Sequence, residues 1–136
     1  MDTDTIVAAI RSPHGASAEI IVAARLGLVQ LLASTALMIE YEAVCSRPEH
    51  LRNANLSRKQ VQTFLDVIAD LVEPVQMHFL WRPQLRDPDD EMVLETAING
   101  QATAILTFNA RHFLDAPDRF GLMVLRPGDA LRRMRP

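Results

Sequence analysis

One cysteine, Cys45, stands in the whole 136-residue sequence, so no intramolecular disulfide forms and no cysteine-based zinc or iron–sulfur centre assembles. A lone thiol of this kind packs as a small core residue and fits a reducing compartment. Charge of one sign is also missing: 14 basic against 17 acidic residues leave a net charge of −3, too even a balance to draw the whole molecule to nucleic acid or anionic lipid. No apolar run reaches the roughly 18 to 20 residues of a membrane span. The acidic start MDTDT is unlike a secretory signal, so no membrane partner is expected and the cytoplasm is the default location. The four histidines, His14, His50, His78 and His112, show neither HxH nor HExxH spacing, which removes support for zinc. No GxGxxG, Walker A or GxSxG string occurs, which excludes the usual nucleotide cradles and the serine-hydrolase elbow. Lys59 is the only lysine; the arginine bias fits bidentate phosphate recognition and equally the base composition of a gene.

Hydrophobic residues at 49% and charged residues at 23% are the balance of a soluble globular chain. Its length buries roughly 68 to 70% of the unfolded surface without staples, and residues 1–136 are expected to form a single domain. Ser17 reads as a helix start, with Ile20, Ile21, Ala23 and Ala24 as its apolar face and Gly27 at a left-handed cap. Leu28 to Ala33 reads as a buried strand. Ser34 caps a helix through Leu37, Glu40 and Val44 that must stop before Pro48. Ser57 and Gln60 form a capping box ahead of a helical stripe of Val61, Phe64, Leu65, Ile68 and Leu71. Val75 to Phe79 reads as a strand and Trp81 to Pro88 as a loop. A helix from Asp89 or Asp90 carries Met92, Val93, Thr96 and Ala97 to Gly100. Strands over Thr103–Thr107 and Leu122–Leu125 flank a helical turn at Ala110–Leu114, and Pro127 opens a last helix. Helices alternating with short apolar strands predict an α/β fold, a parallel sheet covered on both faces.

In such sheets, loops at the carboxyl ends of strands converge on one crevice. Four places there carry chemistry: Asp2 and Asp4; Asp87, Asp89, Asp90 and Glu91; Thr107 with Asn109; and Glu40, on a helix that is apolar nearly all round. Clustered carboxylates repel and raise one another's pKa unless a divalent cation neutralises them, and oxygen-only ligands select Mg²⁺ or Mn²⁺. Such an ion can orient a water as nucleophile and stabilise charge on a phosphodiester. The same acids at a helix start also serve as caps and dipole partners, and Glu40 also suits a solvated position.

These segments resemble the PIN-domain family, in particular its branch of toxin components of toxin–antitoxin systems, similar to VapC-type ribonucleases. The resemblance spans nearly the whole chain. DTDTIVAAIRSPHGAS is similar to the family's opening segment, with the first family aspartate on Asp2 and Asp4 at its usual asparagine. STALMIEYEAVCSRP puts the family glutamate on Glu40. RDPDDEMVLETAINGQATAILTFNARHF puts the third acid on Asp90, and RPGDAL resembles the closing segment. Two departures stand out. Many PIN domains carry a fourth aspartate in a T-x-D string, where this chain has Thr107, Phe108 and Asn109, as its branch often does. Family members also place an apolar strand before the first aspartate, and here only Met1 precedes Asp2.

The resemblance implies a PIN-like three-layer fold, a central parallel sheet flanked by helices with its first strand truncated. It implies a metal-dependent endoribonuclease cleaving single-stranded RNA, with Asp2, Glu40 and Asp90 at Mg²⁺ or Mn²⁺ and Asn109 in support. In that reading Asp2 and Asp90 hold the metal, while Glu40 holds it or orients the attacking water. Asp87 and Asp89 lend support, Thr107 or Asn109 positions water or phosphate, and Arg11, Arg82, Arg86 and Arg111 meet the RNA backbone. A cognate antitoxin and a homodimer are the expected partners. Two alternatives remain open: a degenerate PIN domain acting as a non-catalytic interaction module, and a haloacid-dehalogenase-like phosphatase suggested by Asp2-Thr3-Asp4. The abbreviated start predicts an open sheet edge and an Asp2 hanging from a frayed terminus, unless an upstream start or a second chain covers that edge.

Overall fold

In the computed structural model, which describes residues 1–78 and 84–134, eight α-helices and four three-residue strands alternate. The α/β class follows the sequence expectation, and every strand pair is parallel.

Asp2 caps α1 (Thr3–Arg11), its side chain accepting from the Thr3 N–H. This helix has no counterpart in the sequence reading; Thr5, Ile6 and Ala9 face inward. α2 (Ala16–Arg25) starts one residue before the predicted Ser17, which lies buried inside it with Gly15 at the cap. Gly27 takes the left-handed φ of 76° expected of it. The strand predicted from Leu28 shrinks to β1 (Leu31–Ala33): the turn at Gly27 leaves Leu28 70% exposed, so its apolar side chain belongs to the surface.

Ser34 caps α3 (Thr35–Cys45), accepting from Leu37 N–H at 3.2 Å. Pro48 ends that run as predicted, yet it also opens the unforeseen α4 (Pro48–Ala54), because a proline at the first helical position forfeits no hydrogen bond. The Ser57–Gln60 capping box is present and starts α5 (Arg58–Leu71), burying Val61, Leu65 and Ile68.

β2 (Val72–Pro74) follows α5 directly and pairs with β1, three residues ahead of the predicted strand, whose last residue, Phe79, lies outside the described residues. Pro74 is tolerated because in a two-stranded pair each strand is an edge. The chain then adds one more bond, Val75 N–H to Ala33 C=O at 3.0 Å.

α6 (Pro88–Asn99) begins at Pro88 with Asp87 as cap, ahead of the predicted Asp89 or Asp90. Gly100 is needed for close approach: a Cβ there would sit 2.9 Å from both Leu32 and Val75 side-chain carbons, and Gln101, with φ 55°, takes the left-handed position instead. β3 (Ala104–Leu106), a 3-10 turn at Ala110–Phe113, a short α7 (Ala116–Arg119), β4 (Met123–Leu125) and α8 (Pro127–Met134) complete the order.

The strands form two pairs, β1–β2 and β3–β4, where one sheet was expected. Between them lies a cavity of about 640 Å³ lined by Leu31, Leu32, Val93, Ile105 and Leu106 among others. Met1 is among the residues that line it. The main core unites Ile6, Leu37, Tyr41, Ile68, Leu94, Ile105 and Phe113, and a smaller cluster of Ile20, Leu31 and Ala130 forms where α2 meets α8.

Candidate active site

The N-terminus is pinned, contrary to the frayed end the sequence suggested. The Asp2 N–H donates to Leu106 C=O at 2.8 Å, which ties the main chain there to the end of β3. The buried Tyr41 hydroxyl, on α3, donates to Met1 C=O, and Asp2 itself is only 8% exposed. The helix cap and this backbone hydrogen bond thus hold Asp2 in place.

That carboxylate meets the Thr107-Phe108-Asn109 segment that follows β3. The Thr107 hydroxyl, fully buried, donates to Asp2 Oδ2 at 2.7 Å and lies 3.3 Å from Asp4 Oδ2. It accepts from Asn109 N–H at 3.0 Å. Phe108 N–H and Asn109 Nδ2 both donate to Asp4 Oδ2 at 3.0 Å. Asn109 therefore turns its amide nitrogen to Asp4, a use the sequence did not reveal. A neutral amide can donate to Asp4, whereas an aspartate at position 109 would add a fourth repelling charge.

Asp90, in the first turn of α6, is 9% exposed, and its Oδ2 lies 3.6 Å from His112 Nδ1. Glu40 is half-buried and shares a cleft of about 480 Å³ with Asp2, Asp4, Arg11, Arg47 and Asp89. Asp87 acts as the α6 cap, accepting from Asp89 N–H at 2.9 Å. Glu91 is buried and holds the approach to α6, its Oε1 accepting Gln84 and Leu85 N–H groups at 2.6 and 2.7 Å. Arg11 lines the cleft. Arg86 and Arg111 are exposed and stand outside its lining, and Arg82 lies outside the described residues.

Three side chains reach this region without having been assigned a role from sequence. Arg47 and His50 arrive on the α3–α4 corner, signalled only by the R-P stop. His112, expected to pack or to face water, is half-exposed and contacts Asp90 as well; its place three residues after Asn109 was the available signal.

The acids destabilise one another's charges. Burial, then Asp2 and Asp87, pushes the Asp90 carboxyl up to about 6, with His112 opposing. Burial and then Asp2 raise Asp4. Burial and then Asp89 raise Glu40, against the pull of Arg47. Among the described residues Asp4 Oδ1 is also buried without a hydrogen-bond partner. An oxygen-only, electron-rich pocket with an orphaned carboxylate oxygen fits a hard divalent cation. No three His, Cys, Asp or Glu side chains among the described residues converge to grip one ion. A hard divalent cation that takes one or two carboxylates directly and keeps several of its waters is compatible with this arrangement.

A pH dependence follows. With its folded pKa above the ordinary unfolded value of about 3.9, Asp90 makes the folded chain bind more protons than the unfolded one between those values. Its contribution to metal-free stability is fully present below about pH 4 and is lost as pH rises through about 6. Urea unfolding in EDTA should therefore show Asp90→Asn gaining about 1 to 2 kcal/mol on the wild type between pH 4 and pH 7.5. A constant difference across that range would mean that the Asp90 carboxyl titrates normally.

A family model described as PIN domain matches residues 1–111. No curated protein and no solved structure matches the chain.

Proposed function

Because the chain belongs to the PIN-domain family, whose members are typically nucleases, we propose that it is a divalent-metal-dependent endoribonuclease that cleaves single-stranded RNA as the toxin of a toxin–antitoxin pair. The observation that carries this reading is the Asp2–Thr107–Asp4–Asn109 hydrogen-bond network beside a buried Asp90. Polar groups that would repel or go unsatisfied in an inert core are gathered beside an open cleft that Asp2 and Asp4 line.

In this proposal Asp2 and Asp90 would hold Mg²⁺ or Mn²⁺, directly or through its waters, with Asp4 adding negative charge beside them; the ion would supply charge neutralisation at the scissile phosphate. Thr107 and Asn109 keep Asp2 and Asp4 aimed. Glu40, with its raised affinity for protons, accepts the proton of the attacking water. Arg11 and Arg47, which both line the cleft, pair with backbone phosphates, and Asp87 and Asp89 add to the negative field. No described helix is long and apolar enough to cross a membrane, which accords with RNA in the cytoplasm as the substrate. The exposed apolar side chains Val22, Leu26 and Leu28 are of the kind a homodimer or an antitoxin covers.

The test pairs Mn²⁺ calorimetry with cleavage of a labelled single-stranded RNA. The expected result is Mn²⁺ binding and cleavage that EDTA abolishes. Folded protein with neither property would establish the non-catalytic interaction module instead. The toxin role is tested by induced expression, where growth arrest relieved by the product of an adjacent gene is the expected outcome.

Glu40 and Glu42 give a sharper check. They lie two positions apart, about 200° around α3, and Glu40 lines the cleft while Glu42 is exposed. Glu40→Gln should lower cleavage about tenfold, within the range common for one general base, and Glu42→Gln should leave it unchanged. The reverse pattern would move the working face of α3.

A further inference from the structure

Among the described residues the aromatic side chains Tyr41, Phe64, Phe113 and Phe120 are buried or half-buried, whereas Phe108 is exposed. Its place is not incidental. Phe108 sits between Thr107 and Asn109, its N–H donates to Asp4 Oδ2 at 3.0 Å, and it lines the same cleft as Asp2, Asp4, Glu40 and Arg11. The hydrogen bonds that aim the carboxylates therefore also fix the backbone that carries this ring.

A second observation concerns the ring itself. The Arg126 guanidinium, just after β4, lies 5.3 Å from the Phe108 ring centroid, and Arg126 is outside the cleft lining. The cation thus contacts the ring without itself lining the cleft. An exposed phenylalanine held against a cation beside a carboxylate cluster offers nothing to a phosphate or a metal. It offers a flat π-surface, positively backed, of the kind on which unpaired bases stack.

We infer that Phe108, backed by Arg126, is a base-stacking platform that seats an unpaired nucleobase next to the carboxylate cluster. This rests on the proposed ribonuclease reading and deepens it, since a platform at the cleft rim requires a base free of its partner. Bases in a duplex are stacked and paired and cannot reach it, so the platform selects single strands. It tolerates any base, because each has a π-face.

The test measures binding separately from cleavage, using the full chain carrying Asp90→Asn so that the RNA survives. Fluorescence anisotropy compares a labelled hexaribonucleotide with an abasic oligomer of equal length and charge. Phe108→Ala should weaken the hexamer roughly 5- to 150-fold, the usual span for one stacked base, and leave the abasic oligomer unaffected. Phe108→Trp should bind the hexamer at least as well as phenylalanine, and Arg126→Gln should produce a smaller loss than Phe108→Ala. Equal losses on both oligomers, or wild-type hexamer binding by Phe108→Ala at an unchanged thermal midpoint, would overturn the platform. Base-dependent binding in a wild-type chain that cleaves no RNA would support the platform while refuting the ribonuclease reading.

Discussion

Asp90→Asn is expected to reduce metal-dependent RNA cleavage by roughly 10²- to 10³-fold or more, the scale on which single electrostatic elements of active sites act, while the metal-free protein becomes no less stable. Both halves follow from one geometry. The carboxyl is buried at the first turn of α6 and sits in the field of Asp2 and Asp87, which together with burial push it up to about 6. Removing a charge from such a cluster relieves repulsion, yet it also removes a donor that a cation would need. The amide keeps the shape, and its NH₂ can still meet the neighbouring carboxylates. Cleavage assays in Mg²⁺ and in Mn²⁺, beside urea unfolding in EDTA at pH 7.5, separate the two effects. Near-wild-type cleavage at matched stability would remove Asp90 from the site; a marked loss of stability would mean that its charge is compensated in a way the hydrogen-bond network does not display.

The fold was readable where its determinants are local. α5 announced itself through a capping box and a stripe of five apolar residues, both of which lie within one helix, and α3 through Ser34 and the limit set by Pro48. The strands were harder because each has three residues and gains its stability from a partner far away in sequence: β1 pairs with β2 across about 40 residues. A three-residue strand ending in Pro74 has a weaker pattern than the apolar residues after it, so the local signal pointed a few residues too far along. The missed α1 has a similar origin. Its capping residue, Asp2, was conspicuous as an acid, which drew attention from its capping role.

The site divided along the same line. The acids were identifiable as residue types, since Asp2, Glu40 and Asp90 stand out in apolar or helix-initiating surroundings and match a family pattern. Their partners were not, because hydrogen bonding across more than 100 residues leaves no periodicity. Nothing in the spacing of Thr107 and Asp2 shows that a hydroxyl will reach a carboxylate at 2.7 Å. Nothing local shows that Asn109 will turn its nitrogen to Asp4, or that α4 will carry His50 and the corner before it Arg47 to the cleft. Conversely, Asp87 and Glu91, which looked like members of the acidic set, are occupied as a helix cap and as a clamp on the Gln84–Leu85 backbone.

Thr107 gives the second large effect, because its hydroxyl serves three partners from a position with no exposed surface. It donates to Asp2 Oδ2, lies 3.3 Å from Asp4 Oδ2 and accepts from Asn109 N–H. Thr107→Val keeps the shape and the methyl group but leaves a buried carboxylate oxygen without its donor and a backbone N–H without its acceptor, at a cost of about 1 to 3 kcal/mol. Among the described residues the Asp2 carboxylate then keeps only its bond from the Thr3 N–H, and metal affinity and cleavage should fall 10- to 100-fold, as they commonly do when a ligand's orienting partner is removed. Thr107→Ser separates this positioning role from packing. Serine keeps the hydroxyl and gives up the methyl, so if positioning governs, serine retains most Mn²⁺ binding and cleavage while valine does not. If the side chain matters only as filler, valine is the better substitute and serine the worse. Mn²⁺ calorimetry and RNA cleavage on the two variants, at matched thermal stability, decide between these orders, and valine matching the wild type in both would show that the Asp2 carboxylate holds its aim without Thr107.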